Sequence, residues 1–252
     1  SEHQLSPRVA IIRSEIHRDI LKLKIQKGHT QPLGPIAPLT AETADETHRV
    51  VAMIGIEPFQ AALDSGADVI VAGRSSDAAI YAALPIHQGW DPGLAWHMGK
   101  IIECGAQVIE PREGQDCVIG TLYKDYFTVE PGHPERRCTR TRVAAHTLYE
   151  NPNPYLLQEP SGTLNTESAI FEQLDQRTVR VAGSQWLPAE QYTVKLEGVR
   201  YLGYRTIFLA GVRDPILVKG IDNFILFCRK RAARDLYALG ISARDYSLAI
   251  KV

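Results

Sequence analysis

The chain has 252 residues, 44% hydrophobic and 23% charged, a globular mixture that excludes a disordered or fibrous protein. Its 28 basic and 29 acidic side chains leave a formal net charge of −1, so there is no overall pull toward nucleic acid or anionic lipid. Mean hydropathy is −0.15 and no apolar run approaches the ~20 residues of a membrane helix, so no nucleic acid and no membrane is expected as a partner.

The opening residues, Ser-Glu-His-Gln-Leu-Ser-Pro-Arg, lack a basic stretch followed by an apolar one, so no secretory signal is visible and a cytoplasmic location is expected. Arg8–Arg13 is a short apolar run that predicts a buried strand, and His17–Gln26 is amphipathic and predicts a helix that Gly28 stops. Residues 31–38 hold three prolines and a glycine and predict an ordered loop. The acids Glu42, Asp45 and Glu46 open a helical stretch over residues 40–65, split by Pro58 so that a second helix starts near Glu57. Gly66–Ala72 reads as a second buried strand, residues 78–84 as a helix and residues 94–108 as another.

The second half changes character. Cys117–Leu122 and Tyr126–Val129 read as short strands, and residues 131–165, rich in proline, as a long loop-rich connection. Strands are expected at Val179–Val181, at Tyr192–Val199 and at Tyr204–Ala210, the last two joined as a hairpin through residues 200–203. Asp214-Pro215 starts a long amphipathic helix to about Leu239, and Tyr246–Val252 alternates as a final strand. The fold class is α/β: a strand–helix alternating N-terminal half with a mixed-sheet, helix-covered C-terminal half. The expected division is an α/β domain over 1–130 and a mixed portion over 131–252 that continues it or forms a second domain, in a piece of a longer protein.

Cys104, Cys117, Cys138 and Cys228 form no C-x-x-C pair and read as free thiols. Residues 1–126 carry 11 basic and 16 acidic side chains, residues 127–252 carry 17 and 13. Arg136, Arg137, Arg140 and Arg142 cluster, which fits either an anion site or a solvated loop paired to Glu135 and Glu150.

The sharpest chemical signal is the strand–turn–helix around Gly73-Arg74-Ser75-Ser76-Asp77. In open α/β sheets ligands bind at strand carboxyl ends, and the following helix N-terminus favours an anion. Gly73 allows close approach, Arg74 forks onto a carboxylate, Ser75 and Ser76 donate, and Asp77 serves as a base. The plainer reading is a helix cap, which accounts for the serines and Asp77 but not for a cation at Arg74. A second signal is His97, Lys100 and Cys104, spaced i, i+3 and i+7, where acid–base work competes with a core histidine, a core cysteine and a surface Lys100–Glu103 pair. A third is Lys195 and Glu197 on one strand face, whose default reading is a solvent face. Ser14-Glu15-Ile16-His17 is a weaker candidate at the end of the first strand, and Asp214 is accounted for as a cap. Without H-E-x-x-H, a cysteine pair or an aspartate-rich loop, no metal site is expected.

The segments at 55–59, 67–79, 93–106, 143–151, 194–198 and 211–215 resemble the acyclic terpene utilisation AtuA-like family, in order along nearly the whole chain. Members carry a glycine-rich segment before the equivalent of residue 1 and more chain after residue 252, and some are associated with a small ferredoxin-like companion domain. The resemblance matches Glu57, Arg74, Ser75, Asp77, His97, Lys100, Glu103, Cys104, His146, Lys195, Glu197, Arg213 and Asp214. It implies a setting in which branched acyclic terpenoids are degraded through coenzyme A thioesters, without assigning roles.

The resulting expectation is a homo-oligomeric enzyme on a small branched carboxylate or acyl-CoA, of lyase type: hydration–dehydration or carbon–carbon cleavage. Asp77, His97 and Lys100 are the expected catalytic residues. Gly73, Arg74, Ser75, Ser76, Glu57, Lys195 and Glu197 are expected to bind substrate, with coenzyme A entering only as part of it. The alternatives are a non-catalytic acyl-CoA-binding or scaffold subunit using the arginine cluster, and an assembly module in which strand 246–252 pairs with another chain.

Overall fold

A computed structural model describes residues 6–112 and 116–251. The chain divides into two compact units, Ser1–Tyr201 and Leu202–Val252.

The first unit opens as β1 (Val9–Ile12), α1 (Arg18–Gln26), α2 (Ala41–Glu46), β2 (Thr47–Met53), α3 (Glu57–Asp64), β3 (Val69–Ala72), α4 (Asp77–His87) and α5 (Pro92–Ile102). It continues with β4 (Ile109–Glu110), β5 (Val118–Leu122), β6 (Tyr126–Pro131), β7 (Arg137–Cys138) and α6 (Arg140–Thr147). Then come β8 (Leu156–Glu159), β9 (Gly162–Asn165), β10 (Ile170–Gln173), β11 (Val179–Ala182), β12 (Gln185–Pro188) and β13 (Lys195–Arg200). The mixed α/β class is what the structure has, with alternating strands and helices first and small antiparallel sheets after.

β1 and β3 pair in parallel, Val9 opposite Val69 and Ile12 opposite Ala72, but neither is the buried strand expected, since Val9, Ile11, Val69 and Val71 are exposed on one face. β2 pairs antiparallel with β13, and its far edge takes up the chain leaving β1: Ile16 N donates to Val50 O and Ala52 N to Ser14 O. Just past β2, Ile54 bridges in parallel to Ser75. β2 is therefore the bridge that carries β13 to the turn after β3.

β2 corrects the expectation of continuous helix before Pro58. The helix capped by Thr40 stops at Glu46, and the β-branched Thr47, Val50 and Val51 join a sheet whose partner arrives only at residue 195. Sheet pairing overrides the local helical signal there.

α4 and α5 pack closely because they present small residues to each other. Ala78, Ala79, Ala82 and Ala83 are buried on α4, and a Cβ on Gly99 would fall 2.7 Å from the Ala78 carbonyl oxygen. Asp91 caps α5, accepting from Leu94 N at 2.9 Å, and Pro92 occupies its first turn. α5 is buried from Gly93 to Gly99. Trp96 stacks on Trp186 at 5.1 Å between centroids and joins one apolar cluster with α4, while Leu94, Met98 and Ile101 join a second with Phe127, Val129, Val179 and Val181. The expected helix over 94–108 ends at Ile102 and resumes as a single 3₁₀ turn over Gly105–Val108.

The proline-rich connection is more ordered than expected. It contains β7, α6 and the β8–β9 hairpin, and β9 also pairs with β12. β5 and β6 form a four-stranded antiparallel sheet with β10 and β11.

In the second unit, residues 204–210 form no strand, so the expected hairpin is absent and β13 pairs with β2 instead. The long helix is broken at Gly220 into α7 (Pro215–Lys219) and α8 (Ile221–Ala238), with Asp214 capping α7 through Ile216 N and Leu217 N. Residues 246–251 form no strand, and Val252 lies outside the described residues.

Candidate active site

The turn after β3 and the start of α4 gather side chains from four parts of the first unit. Arg74 Nε donates to Glu197 Oε2 at 3.1 Å and Nη2 to Oε1 at 3.4 Å, a two-pronged pairing across the β2 bridge. Register places it: Lys195 stands opposite Met53, one residue before the Ile54–Ser75 bridge. Arg74 Nη1 also donates to Asp77 Oδ1 at 3.4 Å, and Lys195 Nζ lies 2.9 Å from Glu197 Oε1. The four charges cancel. The Lys195 ammonium, then Arg74, holds the Glu197 carboxyl below its ordinary range. Arg74, Asp77, Lys195 and Glu197 thus form one half-exposed network, which explains the cation at position 74: its charge is matched by carboxylates.

Gly73 is required by the protein itself. A Cβ there would collide with the hydroxyl of buried Ser14. The close approach attributed to a ligand is made by Ser14.

Ser75 is buried as the partner of Ile54, and Ser76 takes the cap position of α4 without making a side-chain cap hydrogen bond. Glu159 stands at the end of β8, the last residue of that strand. Burial pushes the Glu159 carboxyl up to about 7, with Ser76 opposing and the Glu103 and Asp77 carboxylates adding to the rise.

Lys100 and Glu103 form the adjoining pair, Nζ to Oε1 at 2.6 Å. With side-chain exposures of 11% and 8% this is a largely buried pair, which corrects the surface-pair reading. Burial raises the Glu103 carboxyl, and the bond from Lys100 opposes the rise. Lys100 Nζ also sits 5.5 Å over the Tyr149 ring, and His146 stacks on that ring at 5.3 Å. Burial, then the nearby Lys100 charge, lowers the His146 imidazole to about 4.

His97 does not stand with Lys100. It is wholly enclosed, with Ser184 Oγ 2.6 Å from Nδ1 and Thr147 Oγ1 2.9 Å from Nε2. The Thr147 hydroxyl donates to the Val143 carbonyl, so it accepts from Nε2–H and leaves Nδ1 to accept from Ser184. Burial lowers this imidazole to about 3. A neutral, fully bonded ring between Phe127 and Phe171 is a core histidine, and the expectation that it moves a proton does not fit this placement. Cys104 falls beyond the end of α5 and is exposed, which removes it from the expected helix face and equally from a core role.

Glu57 opens α3, its Oε2 shut off from water without a hydrogen-bond partner, 2.7 Å from where a Cβ on Gly55 would sit. It neighbours the Tyr192 phenol, whose oxygen accepts from Gly55 N at 3.2 Å, and lies outside the Arg74 network. Glu15 pairs with Arg49, and His17 caps α1 by accepting from Asp19 N. A groove of about 350 Å³ lies there, lined by His17, Thr47 and His48 among others, away from the charge cluster. Among the described residues no group of three or more ligating side chains is placed to hold a metal.

The arginine cluster is largely engaged. Arg136 pairs with Asp116 at 3.4 Å, and Arg137 and Arg142 share Glu110 at 3.3 and 2.6 Å, so the acids involved are not the expected Glu135 and Glu150.

Sequence reading did not single out Glu159, whose carboxyl burial raises to about 7. A lone glutamate closing a strand carries no local signal, and its position depends on the β8–β9 hairpin. The fold and cluster define an α/β protein with paired charges and a raised carboxyl at a strand's carboxyl end. Residues 1–113 match the family model described as acyclic terpene utilisation family protein AtuA, which accords with the resemblance over that stretch, while its segments at 143–151, 194–198 and 211–215 lie outside the match. No curated protein and no solved structure matches the chain.

Proposed function

We propose that this chain is an enzyme of branched acyclic carboxylate or acyl-CoA catabolism, with lyase-type chemistry at the carbon beside a carbonyl. The observation that carries the reading is the network of Arg74, Asp77, Lys195 and Glu197 at the carboxyl end of β3, with the Lys100–Glu103 pair one residue beyond Gly99, which packs on Ala78 of α4. The name of the matched family, acyclic terpene utilisation, supports a catabolic setting for the reading. Arg74 offers a carboxylate its Nη1 edge, where the internal partner Asp77 is the more distant at 3.4 Å and the more exposed. Lys100 stabilises developing negative charge, and its burial strengthens that interaction. Asp77, released from Arg74 by the ligand, is a base at the rim. The scaffold alternative would use the arginines at 136–142, of which Arg136, Arg137 and Arg142 already pair with Asp116 and Glu110.

The reading includes a cytoplasmic location and self-association. Among the described residues no helix is long and apolar enough to cross a membrane. One face of the β1–β3 pair exposes Val9, Ile11, Val69 and Val71, although parallel strands are ordinarily covered on both faces, and this supports association.

The test is a thermal-shift panel with coenzyme A, 3-methylbutanoyl-CoA and 3-methylbutanoate on the wild type and Arg74→Ala. A ligand that binds only the folded state raises the midpoint. The expected result is a rise with the thioester or the acid that is lost in the variant. A flat wild-type panel counts against the reading.

A further inference from the structure

The segment that follows the first strand, with Glu15 and His17, takes no part in the Arg74 network, and it lines a groove of about 350 Å³. That is the size of a small-molecule site, which ordinarily measures about 300–1,000 Å³. β2 contributes four consecutive residues to the same groove, Thr47 to Val50. A regular strand alternates its side chains between two faces and does not give four in a row to one hollow. β2 is not regular here. Val199 stands opposite Arg49 and the next residue, Arg200, opposite Thr47, so His48 is the extra residue of a β-bulge, a device that re-aims a side chain. Further along β2, Val51 stands opposite Glu15 on one edge and opposite Glu197 on the other. At about 4.8 Å between neighbouring strands, the backbones of Glu15 and Glu197 lie about 10 Å apart, on opposite edges of β2.

The charges of the groove are unevenly committed. Glu15 is matched by Arg49 at 2.5 Å, and the Asp19 side chain is 85% exposed. His17 Nδ1 accepts from Asp19 N. Arg18 Nη2 donates to the Thr47 carbonyl oxygen at 2.8 Å, which holds the guanidinium in place, while its Nε and Nη1 have no partner among the described residues. Nor does any hydrogen bond or ion pair among the described residues engage the His48 side chain. The uncommitted groups are therefore donors, a fixed cation and an imidazole, beside an apolar lining of Ile16, Ala44 and Val50. We propose that this groove is a binding site for a small molecule with an apolar body and an oxyanion head, a carboxylate or a phosphate, held by Arg18 and His48. The planar fork of Arg18 suits a two-oxygen head, and His48 adds one N–H from the bulge. The site is distinct from the Arg74 network and does not rest on the enzyme reading above.

The experiment titrates the isotope-labelled 252-residue chain with benzoate, with phenyl phosphate and with neutral benzyl alcohol at constant ionic strength, and follows backbone amide shifts by NMR. Wild type, Arg18→Gln, His48→Gln and Arg74→Ala are compared. The expected result is a saturable shift centred on residues 15–19 and 47–50 with at least one of the two anions, and none with benzyl alcohol. Binding should weaken about tenfold or more in Arg18→Gln and in His48→Gln. Saturation by benzoate alone identifies a carboxylate head, by phenyl phosphate alone a phosphate, and by both a site for either. Arg18→Gln removes the bond to Thr47, whereas His48 is exposed and unbonded, so His48→Gln decides the matter if Arg18→Gln does not fold. No saturation with either anion, an equal response to benzyl alcohol, or unchanged affinity in His48→Gln overturns the proposal. Loss of the groove shifts in Arg74→Ala overturns it as a separate site. A flat thermal-shift panel with the acyl ligands, beside saturable anion binding here, overturns the enzyme reading and leaves the groove assignment standing.

Discussion

Arg74 and Glu197, 123 residues apart in sequence, hold each other through two hydrogen bonds of 3.1 and 3.4 Å across the β2 bridge. The pairing ties the turn after β3 to the last strand of the first unit.

Both partners are more than a third exposed or nearly so, and Glu197 keeps Lys195 when Arg74 is removed. Arg74→Ala is therefore expected to cost no more than about 1 kcal/mol in a urea titration. Because the folded-state carboxyl of Glu197 is lowered, its contribution is present above about pH 4.3 and is lost as pH falls through its folded value. Glu197→Gln should flatten the acid limb of the stability profile below about pH 4.5, measured against the wild type.

His97→Ala is expected to lower stability by about 3–5 kcal/mol, since it empties a closed site and strands Ser184 and Thr147. Its imidazole is lowered in the fold to about 3, so the stability it confers is present above about pH 6.5 and is lost as pH falls toward the folded value. Urea midpoints between pH 7 and pH 4 should show this loss in the wild type and less of it in the variant. A variant with a wild-type midpoint would contradict the core assignment.

Gly73→Ala places a methyl group on the Ser14 hydroxyl. The expected cost is about 1–3 kcal/mol, and Ser14→Gly in the same chain should recover part of it. Chemical denaturation of the two single variants and the double variant measures the coupling.

Removing Lys100 leaves Glu103 as a largely buried carboxylate without its cation. Lys100→Met should cost about 3 kcal/mol, and the double variant Lys100→Met with Glu103→Leu should cost less than the single one. Equal costs would mean that the pair is solvated.

Local sequence determined much of the framework. The apolar run at Val9–Ile12, the strand at Val69–Ala72 and its turn into α4, and the Asp91-Pro92 start of α5 are legible because each is set by residues within a few positions. The turn at 73–77 is legible as the link from β3 into α4 for the same reason. What local sequence could not supply is any property that depends on a distant partner. Thr47–Met53 reads as helix until β13 offers a ladder, and Tyr204–Ala210 reads as a strand that has none in the structure. His97 and Lys100 share a helix and look equivalent in sequence, but packing seals one between Ser184 and Thr147 and pairs the other with Glu103. Glu159 has no signature at all, and it is burial in the fold, with Ser76 opposing, that raises its carboxyl to about 7. Backbone propensity is a short-range quantity and is written in the chain, whereas burial, charge pairing and the proton affinity they set arise only where the tertiary structure brings segments together.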